Sequence, residues 1–372
     1  MSQKKIFIIT GDYSGDKHAS GVVKELKKIS DDYIIEGIGG INLEQTGIKL
    51  FSNQNKMNAM GMTPKTVIEH FTLGKRIVNY LKNDFKPDLV LLVDYGAFNL
   101  AISKVLKKEG IKTFYFIPPQ IWASRKWRLK TIKKNIERVF TIFPFENKFY
   151  EKEGIKTTYS GHPLIKELPA PVNRQDFFKK HNLDLNKKLI GIFPGSRMFE
   201  IKYLFKIFEG AAKLIEKRLS DVQFVFSLSE NLKDDAYKTS YKVIKGENHA
   251  LLSASDALIL ASGTVALEAA LYKTPMIIAY KGPFLFYLIY LLVRTIDKAC
   301  LVNIITGKNA VPEFLMYDAT SKKIADKIIE ILTDENIRNK QIEALIETKE
   351  LLGDKHCVEV VAKKINEELT NG

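Results

Sequence analysis

One junction constrains this chain more than any other. Residues 189–200 read LIGIFPGSRMFE. Leu189, Ile190, Ile192 and Phe193 make a short apolar run, which fits a buried parallel strand. Pro194 and Gly195 end it, and Ser196-Arg197 open a helix. Such a strand–turn–helix junction presents unpaired backbone N–H groups and the positive end of a helix dipole. Arg197 adds a planar, permanently charged fork suited to a diphosphate. An ordinary loop with a solvated arginine explains the four residues PGSR equally well.

A second junction tips the balance. Residues 258–268, LILASGTVALE, give another apolar strand, then Ser262, Gly263 and Thr264, then a helix carrying Glu268. The hydroxyls can cap the helix or donate to phosphate, and Gly263 admits a ligand close to the backbone. Glu268 lies about one turn in, within reach of ribose hydroxyls. Two such junctions predict a nucleotide at the carboxyl edge of a parallel sheet.

A chain of 372 residues exceeds one ordinary core, so two domains are expected. A formal charge of +14 favours acidic partners such as phosphorylated substrates, anionic lipid or nucleic acid, or else reflects lysine-rich usage alone. Cys300 and Cys357 have no metal-type spacing and fit a reducing compartment. The amino terminus runs directly into a strand and glycine turn, unlike a signal peptide. No segment reaches the ~20 apolar residues of a spanning helix. The closest, residues 284–293 with Phe284 and Phe286, reads as a buried helix or as a surface element dipping into a bilayer.

In chain order, residues 5–10 predict a strand, followed by a loop holding Asp12, Ser14, Gly15 and Asp16 and a helix to residue 28. It lacks a G-x-G-x-x-G fingerprint and is read as lining a cleft. Strands are expected at 33–38, 87–93, 113–117, 139–143 and 157–159. The strand at 87–93 delivers Asp94 to the sheet's carboxyl end, where it serves as a general base or only as a helix cap. Residues 59–81 are unusually apolar, with Met60, Met62, Val67, Phe71 and Leu73, and face either the core or lipid. Residues 125–138 carry seven basic side chains beside one acidic, a solvated face or a guide for a phosphorylated ligand. Pro169, Pro171 and Asn173 mark a linker. Strands at 189–193, 222–227, 257–261 and 276–280 then predict a second doubly wound sheet, with helices from 321 onward.

Taken in order, GDYSGD (11–16), NAMGM (58–62), VDYGAFN (93–99), PPQIWAS (118–124), FPFE (143–146), GHPL (161–164), FPGSR with Glu200, ASGTVALE (261–268), Asn303 and GKNAVPEFL (307–315) resemble the lipid-A-disaccharide synthase family over nearly the whole chain. The resemblance implies an α/β fold of GT-B architecture, two doubly wound Rossmann-like domains facing across a cleft. They would span 1–168 (acceptor and membrane side) and 169–345 (UDP-sugar side), with 346–372 a helical segment crossing back or swapped.

The implied enzyme is an inverting glycosyltransferase of lipid A biosynthesis. It joins UDP-diacylglucosamine to acylated glucosamine 1-phosphate, forming a β-1,6 disaccharide and UDP. By position, Asp94 matches the catalytic carboxylate and Arg197 the diphosphate arginine. Gly195, Ser196, Ser262, Gly263 and Thr264 would hold phosphate, and Glu268 the ribose. Asp12, Ser14, Gly15, Asp16, Glu200, Asn303 and Glu313 would line the cleft. Met60, Met62, Val67, Phe71, Leu73, Phe284 and Phe286 would meet acyl chains or membrane.

No Asp-x-Asp motif for a sugar-nucleotide metal is present, so no metal or other cofactor is expected. The implied location is cytoplasmic, peripheral on the anionic inner-membrane surface; a homodimer stays open, and nucleic acid is not an expected partner. An epimerase or peptidoglycan-precursor transferase acting on UDP-N-acetylglucosamine is the alternative within the same architecture. Asp12 and Tyr13 stand where the family usually has Glu and Ala, Ala97 where a second Asp is frequent, and Val302 where Pro precedes the late Asn.

Overall fold

The computed structural model describes residues 3–53, 64–283, 295 and 297–371, the side chains of 64–67 excepted. The chain divides into two compact units, residues 1–166 with 354–372, and residues 167–353.

The first unit is built on strands β1 (Lys4–Ile9), β2 (Tyr33–Gly39), β3 (Lys49–Asn53), β4 (Leu89–Val93), β5 (Thr113–Phe116), β6 (Arg138–Thr141) and β7 (Thr157–Tyr159). They pair in the order β3-β2-β1-β4-β5-β6-β7, every pair parallel. Both faces are covered, so β1 is apolar from Ile6 to Ile9, past the two lysines that open it. Ile6 and Ile8 enter one core cluster while Phe7 and Ile9 enter the other. Each such fully buried side chain contributes about 1.5–3 kcal/mol.

The second unit repeats the plan with β8 (Lys188–Phe193), β9 (Val222–Leu228), β10 (Lys242–Lys245), β11 (Ala257–Ala261), β12 (Met276–Tyr280) and β13 (Glu313–Leu315). The order is β10-β9-β8-β11-β12-β13, again all parallel. In both sheets the strand order reverses between the first strand and its fourth-strand neighbour. There the connecting loops diverge to opposite faces and leave a crevice at the carboxyl ends.

The carboxyl-terminal helix Cys357–Thr370 belongs to the first unit. Val358, Val361, Ala362 and Ile365 pack with Val22, Val23 and Leu26 of the helix Tyr13–Ile29. Gly21 permits the approach, since a Cβ there would lie 2.9 Å from Val358. The boundary expected at 345/346 falls inside the helix Glu335–Leu352, whose Leu345 sits in the second unit's core; the crossing comes at Gly353. Among the described residues, no helix is long and apolar enough to cross a membrane.

Candidate functional site

In the second unit both glycine junctions end at the sheet's switch point, after β8 and after β11. Gly195 has φ +125°, and a Cβ there would sit 2.5 Å from Glu200. Only glycine allows that turn. Glu200, in the first turn of the helix Met198–Glu216, accepts from the Ser196 N–H (2.8 Å) and the Arg197 N–H (3.3 Å). Its charge suits the positive helix end. Glu200 is thus a support for the loop. The Arg197 side chain is 80% exposed and 3.9 Å from Glu200.

On the other wall, a Cβ on Gly263 would meet nothing within 4 Å. This glycine is not demanded by packing, and the space beside its backbone is open. Together these loops bound a cavity of about 390 Å³ lined by Gly195, Ser196, Arg197, Glu200, Ser262, Gly263, Thr264 and Glu268. All eight were singled out from sequence. Ser227, Ser229 and Asn248 also line it. Ser227 Oγ donates to Asn248 Oδ1, and the Tyr237 hydroxyl holds the Ser227 carbonyl. Burial pushes the Glu268 carboxyl up, while His249, 3.7 Å away, opposes the shift. The volume and the mixture of hydroxyls, amides, one arginine and one carboxylate suit a nucleoside diphosphate.

The first unit's switch point has a different character. Asp94 follows β4 with φ 49° and Tyr95 with φ 51°, two successive left-handed residues that are not glycine. Strain of this kind costs about 1–3 kcal/mol per residue and persists only where the surroundings enforce it. They do so here. The Tyr115 hydroxyl (2.8 Å) and Asn99 Nδ2 (2.7 Å) both donate to the Asp94 carbonyl. The Tyr95 N–H bonds Asp94 Oδ1 at 2.8 Å. A side chain on Gly11 would strike the Tyr95 ring at 2.4 Å, so Gly11 makes room for it. Gly15 likewise brings the helix Tyr13–Ile29 beside Asp94, whose Cβ would be 3.5 Å from an added Cβ. Burial, and then the charge of Asp12, push the Asp94 carboxyl up to about 6. A carboxylate so placed is an effective proton acceptor near neutral pH.

Asp12 caps the helix by accepting from the Gly15 N–H (2.7 Å) and the Ser14 hydroxyl (3.3 Å). Asp16, expected in the cleft, is instead wholly buried and structural. It accepts from Gly40 N–H (2.6 Å), Asn42 N–H (2.9 Å) and Asn42 Nδ2 (2.8 Å), capping the short helix Ile41–Glu44.

Asn303 and Glu313 also depart from expectation. Asn303 Nδ2 donates to the Val311 carbonyl and to Glu313 Oε1, both at 2.7 Å, while Glu313 Oε2 accepts the Ala299 N–H at 2.7 Å. Asn303 is buried and Glu313 half-buried; bonded to each other, they clamp the helix Leu301–Thr306 onto β13, and neither lines the cavity of the second unit. Leu73 is half-buried and packs against the core, whereas Ile68 and Phe71 are 66% and 65% exposed. Met60, Met62, Phe284, Phe286 and the Val67 side chain lie outside the described residues.

Several solved structures share the fold. A glycosyltransferase of kitacinnamycin matches with a TM-score of 0.66 at 12% identity, over 98% of this chain and 99% of that one. The UDP-GlcNAc 2-epimerase of Neisseria meningitidis, bound to UDP-GlcNAc, gives 0.65 at 15% identity, over 99% and 100%. At such identities the likeness establishes the two-sheet GT-B-type fold alone. Sequence relatives go further. A lipid-A-disaccharide synthase of Coxiella burnetii is 34% identical over 98% of this chain and 99% of its own. That of Geobacter sulfurreducens is 33% identical over 96% and 95%. Lipid-A-disaccharide synthase 1 of Legionella pneumophila is 35% identical over 94% and 93%. The profile described as Lipid-A-disaccharide synthetase matches residues 6–365, and the chain belongs to that family.

Proposed function

We propose that this protein transfers 2,3-diacylglucosamine from its UDP derivative to the 6-hydroxyl of 2,3-diacylglucosamine 1-phosphate, yielding the β-1,6-linked disaccharide 1-phosphate and UDP. Asp94 carries the proposal: a carboxylate at a switch point, in a strained turn, with its pKa raised to about 6. It takes the proton of the acceptor hydroxyl as that oxygen attacks the anomeric carbon from the face opposite the diphosphate. The carbon–oxygen bond to the diphosphate breaks, and the anomeric configuration inverts. Arg197 and the N–H groups around Ser196 and Gly263 stabilise the charge gathering on departing UDP, without calling on a metal. Glu268 accepts from the ribose hydroxyls.

Transfer requires the acceptor at Asp94 and the donor of the second unit to meet. The substrates carry acyl chains, so the encounter belongs at the anionic inner-membrane surface, where exposed Ile68 and Phe71 on the helix Pro64–Tyr80 would dip among lipids. UDP release from UDP-diacylglucosamine, with and without the acylated acceptor, tests the proposal. Acceptor-dependent release supports it. Brisk turnover of unacylated UDP-N-acetylglucosamine would defeat the lipid assignment.

A further inference from the structure

The donor cavity and Asp94 leave one conspicuous feature unused, the basic stretch after β5. This stretch is not one continuous helix. Ile117, directly after the strand, is left-handed (φ 55°), and Pro118-Pro119 stiffen the turn. Trp122 is buried and donates Nε1–H to buried Glu146 at 3.1 Å, tying the loop down. The chain re-emerges at Arg125 (φ 58°) and closes a single 3-10 turn, Arg128 N–H bonding the Arg125 carbonyl at 3.0 Å. A hydrogen-bonded turn of this kind holds residues i and i+3 within about 7 Å.

Exposed Arg125 and half-buried Arg128 therefore leave the chain from one turn, in the loop that follows the strand next to β4. Burial, and next the charge of Arg125, lower the Arg128 pKa. The loop after β5 lies against the loop after Asp94, since a Cβ on Gly96 would meet Pro119 at 2.8 Å, and the Tyr115 hydroxyl, which holds the Asp94 carbonyl, feels the charge of Arg128. Neither guanidinium has a carboxylate partner among the described residues. Buried Arg138 pairs with Glu368, and half-buried Arg174 with Asp256. Crowding two like charges without an anion is unfavourable. A phosphate monoester offers two negative charges and three acceptor oxygens, which suits two forks.

We propose that Arg125 and Arg128 form a phosphate-monoester site on the first unit, which takes the phosphate of the sugar acceptor and so presents its hydroxyl to Asp94. This assignment rests on the transferase function proposed above. An anionic phospholipid headgroup offers the same chemistry, and exposed Trp127 lies between the two arginines, so the experiment must separate the sources.

The full-length enzyme is assayed in neutral detergent micelles with saturating UDP-diacylglucosamine and two acceptors, 2,3-diacylglucosamine 1-phosphate and the same sugar without phosphate. Wild type should favour the phosphorylated acceptor in kcat/KM by about 10-fold or more. In Arg125→Asn/Arg128→Gln, chosen because Asn tolerates the left-handed backbone, that preference should shrink to within about threefold. The loss should fall on KM for the phosphorylated acceptor, with the unphosphorylated acceptor and UDP affinity unchanged. Arg128→Lys, which keeps the charge but not the fork, should retain an intermediate preference.

A double variant that keeps the full preference, or loses both acceptors equally, would overturn the site. So would loss of pelleting with phosphatidylglycerol vesicles, relative to phosphatidylcholine, while the acceptor preference stands; the arginines would then hold headgroups. A wild-type enzyme that forms no disaccharide from either acceptor would sink the transferase function itself, and this site with it. Disaccharide formation with the preference intact in the variant would sink the arginine site alone.

Discussion

The two halves of this protein share a topology and differ in what they place at the same topological point. In each sheet the order reverses beside the first strand, and a Gly-bearing loop meets a second loop there. In the second unit the loops offer hydroxyls, main-chain N–H groups, an exposed arginine and open space beside Gly263. In the first they offer two carboxylates, a pair of left-handed residues and aromatic packing. In the function proposed, one crevice holds an anion and the other a proton acceptor. A single architecture thus supports opposite electrostatic roles because the loops, not the strands, carry the chemistry.

The sharpest way to break this contrast is Asp94→Asn. Turnover should fall by ~10²-fold or more while UDP binding, measured by calorimetry, stays as in wild type. A fall in UDP affinity of similar size would show that the two points are not functionally distinct. The same substitution carries a sign test. The folded-state pKa of about 6 lies above the ordinary 3.8, so burial favours the protonated form. Stability from this group is complete below the unfolded pKa and is lost as pH rises through about 6. Asp94→Asn should therefore be more stable than wild type by about 3 kcal/mol at pH 8, the difference shrinking towards pH 4. Activity should run the other way, with kcat/KM rising through about pH 6 to a plateau as the base ionises.

On the anion side, Arg197→Ala should weaken UDP binding by ~10-fold, since an exposed charged fork is lost without disturbing packing. Near-wild-type affinity would place the diphosphate elsewhere. The two glycines sharpen the picture further. Gly263→Ala fills empty space, so thermal stability should hold while UDP affinity drops several-fold, whereas Gly195→Ala strains the backbone, collides with Glu200 and should cost about 1–3 kcal/mol of stability. Smallest of all, Ile68→Ser/Phe71→Ser should leave the melting temperature within a degree or two, because both are exposed. Vesicle binding should weaken; strong unfolding would instead mean that this face is covered by protein.

Most central strands were legible as uninterrupted apolar runs, because parallel strands covered on both faces have no polar side to show. The strands that escaped are β3, β10 and β13, short and with half-exposed or exposed residues, where that signal disappears. The donor crevice was readable because it is built from two contiguous motifs. Ser227 and Asn248 were not, since each depends on a strand pairing that local composition does not announce. Asp16, Asn303 and Glu313 show the opposite failure. A carboxylate or amide in a loop looks alike whether it meets a ligand or caps a neighbouring helix, and only the three-dimensional partners decide. The left-handed pair at Asp94 and Tyr95 left no trace in composition, because tertiary hydrogen bonds impose it.

The return of the last helix to the first unit has a consequence for biosynthesis. The groove over Val22, Val23 and Leu26 is filled by residues 358–365, which the ribosome adds only after all of the second unit. The first unit to be translated is therefore the last that can be completed, and its uncovered apolar groove must wait through the synthesis of the second. Loss of the final helix would leave the nascent amino-terminal half exposed to chaperones and proteases, while the middle of the polypeptide keeps its own core intact.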